Sequence, residues 1–184
     1  MSASELAVRL RAATRSAHRA LDHHPLLQPL TSAALTPQDY AQALAALRAP
    51  QAALESCLSG FVHARQFPGR VAALDADLTD LGVAPWPLLA AAPSIDSDAA
   101  RVGVLYVLEG SRLGGAVIAR CLARHLPDAP RRFFGEVADL QRWPAFWRFA
   151  EAYCPPECTA EALSAALAAF DCYRRHFDAC IQTG

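Results

Sequence analysis

Three glycines within six residues, set inside what otherwise reads as one long helix, constrain this chain more than any other feature. The stretch is Leu105-Tyr106-Val107-Leu108-Glu109-Gly110-Ser111-Arg112-Leu113-Gly114-Gly115. Before it, Val102, Leu105, Tyr106 and Leu108 recur at helical spacing. After it, Val117, Ile118 and Leu122 resume the pattern, so the helix is expected over about Asp98 to Leu126. An interior glycine costs a helix about 1 kcal/mol relative to alanine. Three physical gains would offset that cost: a bend in the helix, close approach of bare backbone to a flat ligand, or tight packing of helices at small residues. The glycines alone do not separate these.

The first helix brings a second constellation. Leu6, Leu10, Ala13, Ala17 and Leu21 form a narrow apolar stripe, with Ser4 placed to cap it. Arg11, Thr14, His18 and Asp22 share one shoulder of that stripe, and Arg9, Arg15 and Arg19 face away from it. Asp22 stands at i+4 from His18, so it can accept a hydrogen bond from one ring nitrogen and leave the other as a metal ligand. A packing histidine is the plain alternative. His23 and His24 fall in a turn and are expected to be exposed.

The remaining segments also read as helices. Thr36, Pro37 and Asp39 form a start signal with a capping box, followed by Tyr40, Leu44, Leu47 and Leu54. Pro50 is expected to kink or split that helix. A helix over Arg70–Leu81 turns Val71, Leu74, Leu78 and Leu81 inward and stops at Gly82, with Asp75, Asp77 and Asp80 as a solvated face. Leu140–Tyr153 carries the aromatic residues Trp143, Phe146, Trp147 and Phe149. The last helix opens at Thr159 and carries Leu163, Leu167, Phe170, Tyr173, Phe177 and Ile181. No valine- and threonine-rich alternation suggests a strand. The expectation is one all-α domain over 1–184, a compact bundle of about six to eight helices.

Composition excludes several classes. A net charge of −1 gives no general affinity for nucleic acid or acidic membranes, and all basic residues are arginine. No stretch of about 20 apolar residues is seen, so no membrane span is expected. No signal peptide is seen, and a cytoplasmic setting is expected. The six cysteines lack a C-x-x-C pair and read as free thiols. Cys172, His176 and Cys180 share a helix face but lack a fourth metal ligand. There is no phosphate loop, flavin or nicotinamide motif.

Leu10-Arg11-Ala12-Ala13-Thr14-Arg15-Ser16-Ala17-His18 resembles the proximal helix of haem oxygenases, and Gly110-Ser111-Arg112-Leu113-Gly114-Gly115 resembles their distal helix. The second motif is similar to the bacterial, bacteriophytochrome-associated branch, in which serine stands where the animal enzymes carry an acid. The resemblance implies a haem-oxygenase-like bundle with a glycine-kinked distal helix and haem as substrate and cofactor. It implies His18 as the proximal iron ligand, and Gly110, Ser111 and Gly114 at the oxygen-activating face. Arg11, Thr14, Asp22, Tyr106, Arg112, Gly115, Arg142, Arg148, Phe170 and Phe177 are implied around the haem, the arginines as candidates for its propionates. Haem would be cleaved to biliverdin, carbon monoxide and ferrous iron, with electrons from a ferredoxin or flavoprotein reductase and a bacteriophytochrome as one acceptor of the bilin. Serine cannot act as an acid near neutral pH, which leaves the groups that order a distal water open. A non-catalytic haem- or tetrapyrrole-binding member of the same fold is the alternative. The segment from Phe133-Phe134-Gly135-Glu136 fits the bacterial pattern loosely.

Overall fold

In the computed structural model, which describes residues 5–135 and 141–183, seven α-helices carry the chain. They are α1 (Glu5–Asp22), α2 (Pro37–Ser56), α3 (Val71–Leu81), α4 (Asp98–His125), α5 (Arg132–Gly135), α6 (Arg142–Tyr153) and α7 (Thr159–Thr183), joined by irregular segments and three short 3-10 turns. No strand occurs among the described residues. The expected Ser4 cap and the segment from Glu136 to Leu140 lie outside them.

Local signals account for the helix ends. Thr36 and Asp39 exchange capping-box hydrogen bonds at the start of α2, with Pro37 in the first turn. Gly82 ends α3 at φ 65°, a left-handed conformation that glycine adopts without a Cβ clash. Ser97 caps α4 by accepting from the Ala100 N–H. Pro50 does not split α2, which continues to Ser56. The three glycines do not end α4, which is helical throughout Asp98–His125.

α7 is the reference surface of the fold, because α1, α2 and α4 all pack on it. Its contact with α4 is set by small residues. A Cβ added at Gly103 would lie 2.1 Å from the carbonyl oxygen of Ala162, so no larger residue fits without moving a backbone. Ala162, Ala165, Ala166 and Ala169 are all buried. The large apolar residues expected inward on α7 behave differently. Phe170, Tyr173 and Phe177 are buried, but Leu167 and Ile181 are exposed. The alanine face, with no large side chains to bury, allows two backbones to approach and takes the inward position.

α6 supplies the aromatic cluster read from its sequence. Phe146 is fully buried and stacks on Trp143 at 5.2 Å between centroids, and Phe67 and Phe61 meet Phe149 edge-on. By length and hydropathy alone α4 would be long and apolar enough to cross a bilayer, but its buried residues lie mostly in its N-terminal half, and the helix packs against α7.

Two polar expectations are corrected. Asp77 is fully buried, not solvated. It accepts from the backbone N–H of Arg132 (3.0 Å) and Phe133 (2.9 Å) and so fixes the start of α5 against α3. Asp75 instead takes a two-pronged bond from Arg48 at 2.8 and 3.0 Å. His24 is also buried, 7% exposed, with its ring 5.2 Å from Phe177. Its Nδ1 accepts from the Leu26 N–H, which puts the ring proton on Nε2, 3.5 Å from Asp178. The turn it closes leads from α1 back into the bundle, and that requires the ring inside.

Burial lowers the pKa of His24 below its ordinary 6.5, against a raising effect of Asp178, and burial lowers that of His176. Below pH 6.5 the unfolded chain therefore binds more protons than the folded one, and stability falls as pH falls. The expected result is a melting temperature that drops between pH 7.5 and 5.5, with a shallower drop in His24→Gln, followed by circular dichroism.

Candidate functional site

A cavity of about 410 Å³ lies between α1 and the glycine segment of α4. α1 contributes His18, Leu21 and Asp22. Facing them, α4 contributes Tyr106, Val107, Gly110, Ser111, Leu113, Gly114, Gly115 and Ile118. Phe170 and Tyr173 come from α7, Phe133 and Phe134 from α5, Leu47 and Gln51 from α2, and Trp143 from α6. The wall is mostly apolar, with a few polar groups, the usual composition of a pocket for a hydrophobic ligand.

His18 lies on an open side, its side chain 61% exposed. Nδ1 is 2.8 Å from Asp22 Oδ2. The carboxylate can only accept, so the ring proton belongs on Nδ1 and Nε2 keeps its lone pair. An exposed pair of this kind adds little stability, but it sets the tautomer and the ring plane. Phe170 meets the imidazole edge-on at 5.9 Å. Thr14, one turn earlier, is buried. Its hydroxyl donates to Leu10 O (2.8 Å) and lies 3.3 Å from the Tyr106 hydroxyl, linking α1 to α4.

The glycines resolve the question that spacing left open. Among the described residues, a Cβ at Gly114 would meet nothing within 4 Å, and one at Gly110 would only touch Trp143 at 3.7 Å. Only at Gly115 is the space closer, 3.4 Å from Phe134. Helix packing therefore does not require glycine at 110 or 114. Their bare backbone faces the cavity, the arrangement expected where a flat ligand must come close.

The arginines sort differently from the sequence reading. Arg112 and Arg142 both serve Glu109, which is 4% exposed. Arg142 approaches it with two nitrogens, one at 3.0 Å, and Arg112 Nε donates at 3.1 Å. Burial pulls the Arg112 pKa down to about 10, and the charge of Arg70 adds to the effect. Neither side chain lines the main cavity. Arg148 is exposed and is not in its wall. Arg11 is exposed, with its guanidinium 5.8 Å from the Trp147 ring. Phe177 is fully buried behind the wall, between His24 and Tyr173.

Arg70 was not anticipated. It is 4% exposed and lines the cavity. Its guanidinium donates to Phe133 O (3.3 Å), Leu108 O (3.4 Å) and Ser111 Oγ, and lies 4.4 Å from the Phe133 ring. Ser111 donates in turn to Leu108 O at 2.7 Å. Burial lowers the Arg70 pKa, opposed by Tyr173, Glu109 and Glu55, yet a guanidinium stays charged. A polar chain adjoins it. Tyr173 donates to Gln51, Gln51 Nε2 to Glu55 at 2.7 Å, and the Arg70 N–H to the same Glu55 oxygen at 2.6 Å. Gln51 and Arg70 also line a second cavity of about 300 Å³, which Glu55, Glu109 and Arg112 share. Gln51 carried a faint signal, a polar residue on the stripe Leu44-Leu47-Gln51-Leu54. Arg70 carried none, since its partners are 38 to 63 positions away.

Removing Glu109 would strand two partly buried guanidinium groups. Glu109→Ala is expected to destabilise the fold by about 3–5 kcal/mol, measured by urea unfolding, with a smaller loss in Arg142→Ala, whose side chain reaches solvent.

Comparison with known proteins bears on this geometry. Residues 4–179 match the family model described as heme oxygenase. A heme oxygenase of Xanthomonas campestris pv. campestris (strain 8004) is 36% identical over 164 residues, covering 85% of this chain and 96% of that protein. The fold is similar to the heme oxygenase of Neisseria meningitidis in its NO- and CO-bound forms, with a TM-score of 0.79 and 26% identity over 98% of this chain and 94% of that one. It also resembles heme oxygenase-1 of the cyanobacterium Synechocystis sp. PCC6803 in complex with heme, with a TM-score of 0.69 and 17% identity over 98% and 96% of the two chains. The last likeness concerns the fold alone.

Proposed function

The chain belongs to the haem oxygenase family, and we propose that it cleaves haem to biliverdin, carbon monoxide and ferrous iron in the cavity between α1 and α4. It is a haem-degrading enzyme, with haem as substrate and cofactor. The observation that carries the detailed reading is the pairing across one cavity of an oriented imidazole with helix backbone that no packing constraint keeps bare.

The residues fit a haem. With Nδ1 committed to Asp22, Nε2 of His18 is the nitrogen left to ligate iron, and the neutral imidazole is the form that does so. The apolar wall would hold the porphyrin, with Phe170 beside the imidazole and Gly115 and Phe134 also in the lining. Thr14 and Tyr106 hold α1 and α4 at fixed separation. When bound, haem supplies the oxygen-activating chemistry and is itself consumed.

The chain's own tasks are to hold the ring, expose one face to dioxygen and move protons. Gly110 and Gly114 leave room for a small ligand on the α4 side. Ser111, held by Arg70 and Leu108 O, positions a hydroxyl there. Arg112 and Arg142 are engaged by Glu109, and Arg11 and Arg148 are both exposed outside the wall; Arg11, on the helix of His18 and two turns before it, is the one assigned to a propionate that reaches solvent. Electrons come from a ferredoxin or flavoprotein reductase. A bilin-binding photoreceptor of the bacteriophytochrome class suits the product. The six cysteines, all free, fit a reducing cytoplasmic setting.

The decisive experiment is an absorption titration with haemin followed by ascorbate or a ferredoxin system under air. A Soret band that decays as the broad red band of biliverdin grows is expected. A Soret band that persists would show a haem-binding protein without turnover. His18→Ala is expected to lower haem affinity at least tenfold, and unchanged binding would remove His18 from its role.

Gly114→Ala separates structure from function. Because its Cβ would meet nothing, the variant is expected to stabilise the haem-free protein by up to about 1 kcal/mol while slowing biliverdin formation. A loss of melting temperature instead would mean the glycine serves the fold.

A further inference from the structure

Arg70 is the permanently charged cation of the main cavity wall. Among the described residues no carboxylate contacts its guanidinium. The nearby acids are occupied elsewhere: Glu55 accepts from the backbone N–H of Arg70, and Glu109 is held by Arg112 and Arg142. The guanidinium instead rests on two backbone carbonyls, the Ser111 hydroxyl and the face of Phe133. A cation taken out of water without a counter-ion is costly, and neutral acceptors recover only part of that cost. Among the described residues, two cavities adjoin the guanidinium, and the larger one, between α1 and α4, offers an anion a place beside it.

We infer that Arg70 makes the α4 side of the cavity a small-anion subsite, acting through the hydroxyl of Ser111. Ser111 Oγ accepts from Arg70 and its proton donates to Leu108 O. That proton can rotate from the carbonyl to a ligand, while the bond from Arg70 keeps the oxygen polarised and in place. Around Ser111 the α4 wall is glycine backbone with Val107, Leu113 and Ile118, and no charged side chain of α4 lines the cavity beside it. The subsite favours hydroxide, fluoride or azide over a neutral diatomic such as carbon monoxide. Arg70 is a positioning residue, and the discrimination is by charge. This inference rests on the haem reading above.

The test uses the ferric haem-loaded protein and its Arg70→Met, Arg70→Lys and Ser111→Ala variants. Fluoride and azide are titrated by the Soret shift, the acid–alkaline transition is followed across pH, and carbon monoxide is titrated on the ferrous form. Arg70→Met is expected to weaken both anions about tenfold and to raise the acid–alkaline transition by about one pH unit, since a nearby cation favours the ionised form. Carbon monoxide affinity should change less than about threefold, and Arg70→Lys should retain most of the anion affinity. Anion affinities within about twofold of wild type in Arg70→Met, or equal weakening of fluoride and carbon monoxide, would overturn the inference. Should Arg70→Met fail to fold, Ser111→Ala carries the test: fluoride should weaken at least about threefold, and no change overturns the inference. A wild-type protein that shows no Soret band would defeat the haem reading itself, a result distinct from all of these.

Discussion

The close approach of α4 to α7 is the constraint on which the rest of the molecule depends. Gly103 sits so near the Ala162 carbonyl that the two backbones, not their side chains, set the spacing. α1 packs on the same α7. Both walls of the cavity are therefore placed against one common surface. The separation of His18 from the glycine segment is inherited from two helix–helix contacts made elsewhere. Interiors packed at crystal-like density transmit such distances with little slack. The Thr14–Tyr106 link then ties the two walls directly, inside the bundle.

The interior charges have a different logic. Glu109, Arg112, Arg142 and Arg70 cluster where water is scarce, and such groups repay their desolvation only when the geometry is good. Arg142 tethers α6 to α4 through Glu109, which keeps Trp143 beside Gly110. Asp77 does the same for α5, holding Phe133 and Phe134 at the cavity. In both cases a buried carboxylate locates an aromatic wall. These groups specify an arrangement more than they add to stability.

The pattern of large apolar residues was enough to foresee an all-helical fold, the capped start of α2, the glycine stop of α3 and the aromatic face of α6. It misled where small residues do the packing. On α7 the stripe was drawn through Leu167 and Ile181, which are exposed, while Ala162, Ala166 and Ala169 lie inside. On α1, Thr14 is buried and Ala13 is exposed. Of the site, the parts written locally were legible: the His18–Asp22 pair is one helical turn, and the glycines are a contiguous motif. Arg70 and Tyr173 were not, because the Arg70 guanidinium and the Tyr173 hydroxyl gain their meaning from partners far along the chain. Glu109 binds Arg112 within one helical turn, a pairing open to sequence reasoning, but it also takes Arg142 from 33 positions away, which is not. The burial of His24 and Asp77 likewise follows from chain reversals that no periodicity encodes.

The His18–Asp22 pair is made within about one turn of α1, whereas the opposite side needs α2, α3, α4 and α5 in register. The two halves therefore differ in how much cooperativity each demands. A loosened chain with its helices formed but its packing lost would still carry the paired His18 and Asp22. It would not carry the polarised serine, the buried guanidinium or the bare backbone held at a set distance. The oriented imidazole is a local property of this protein, and the wall that faces it across the cavity is a global one.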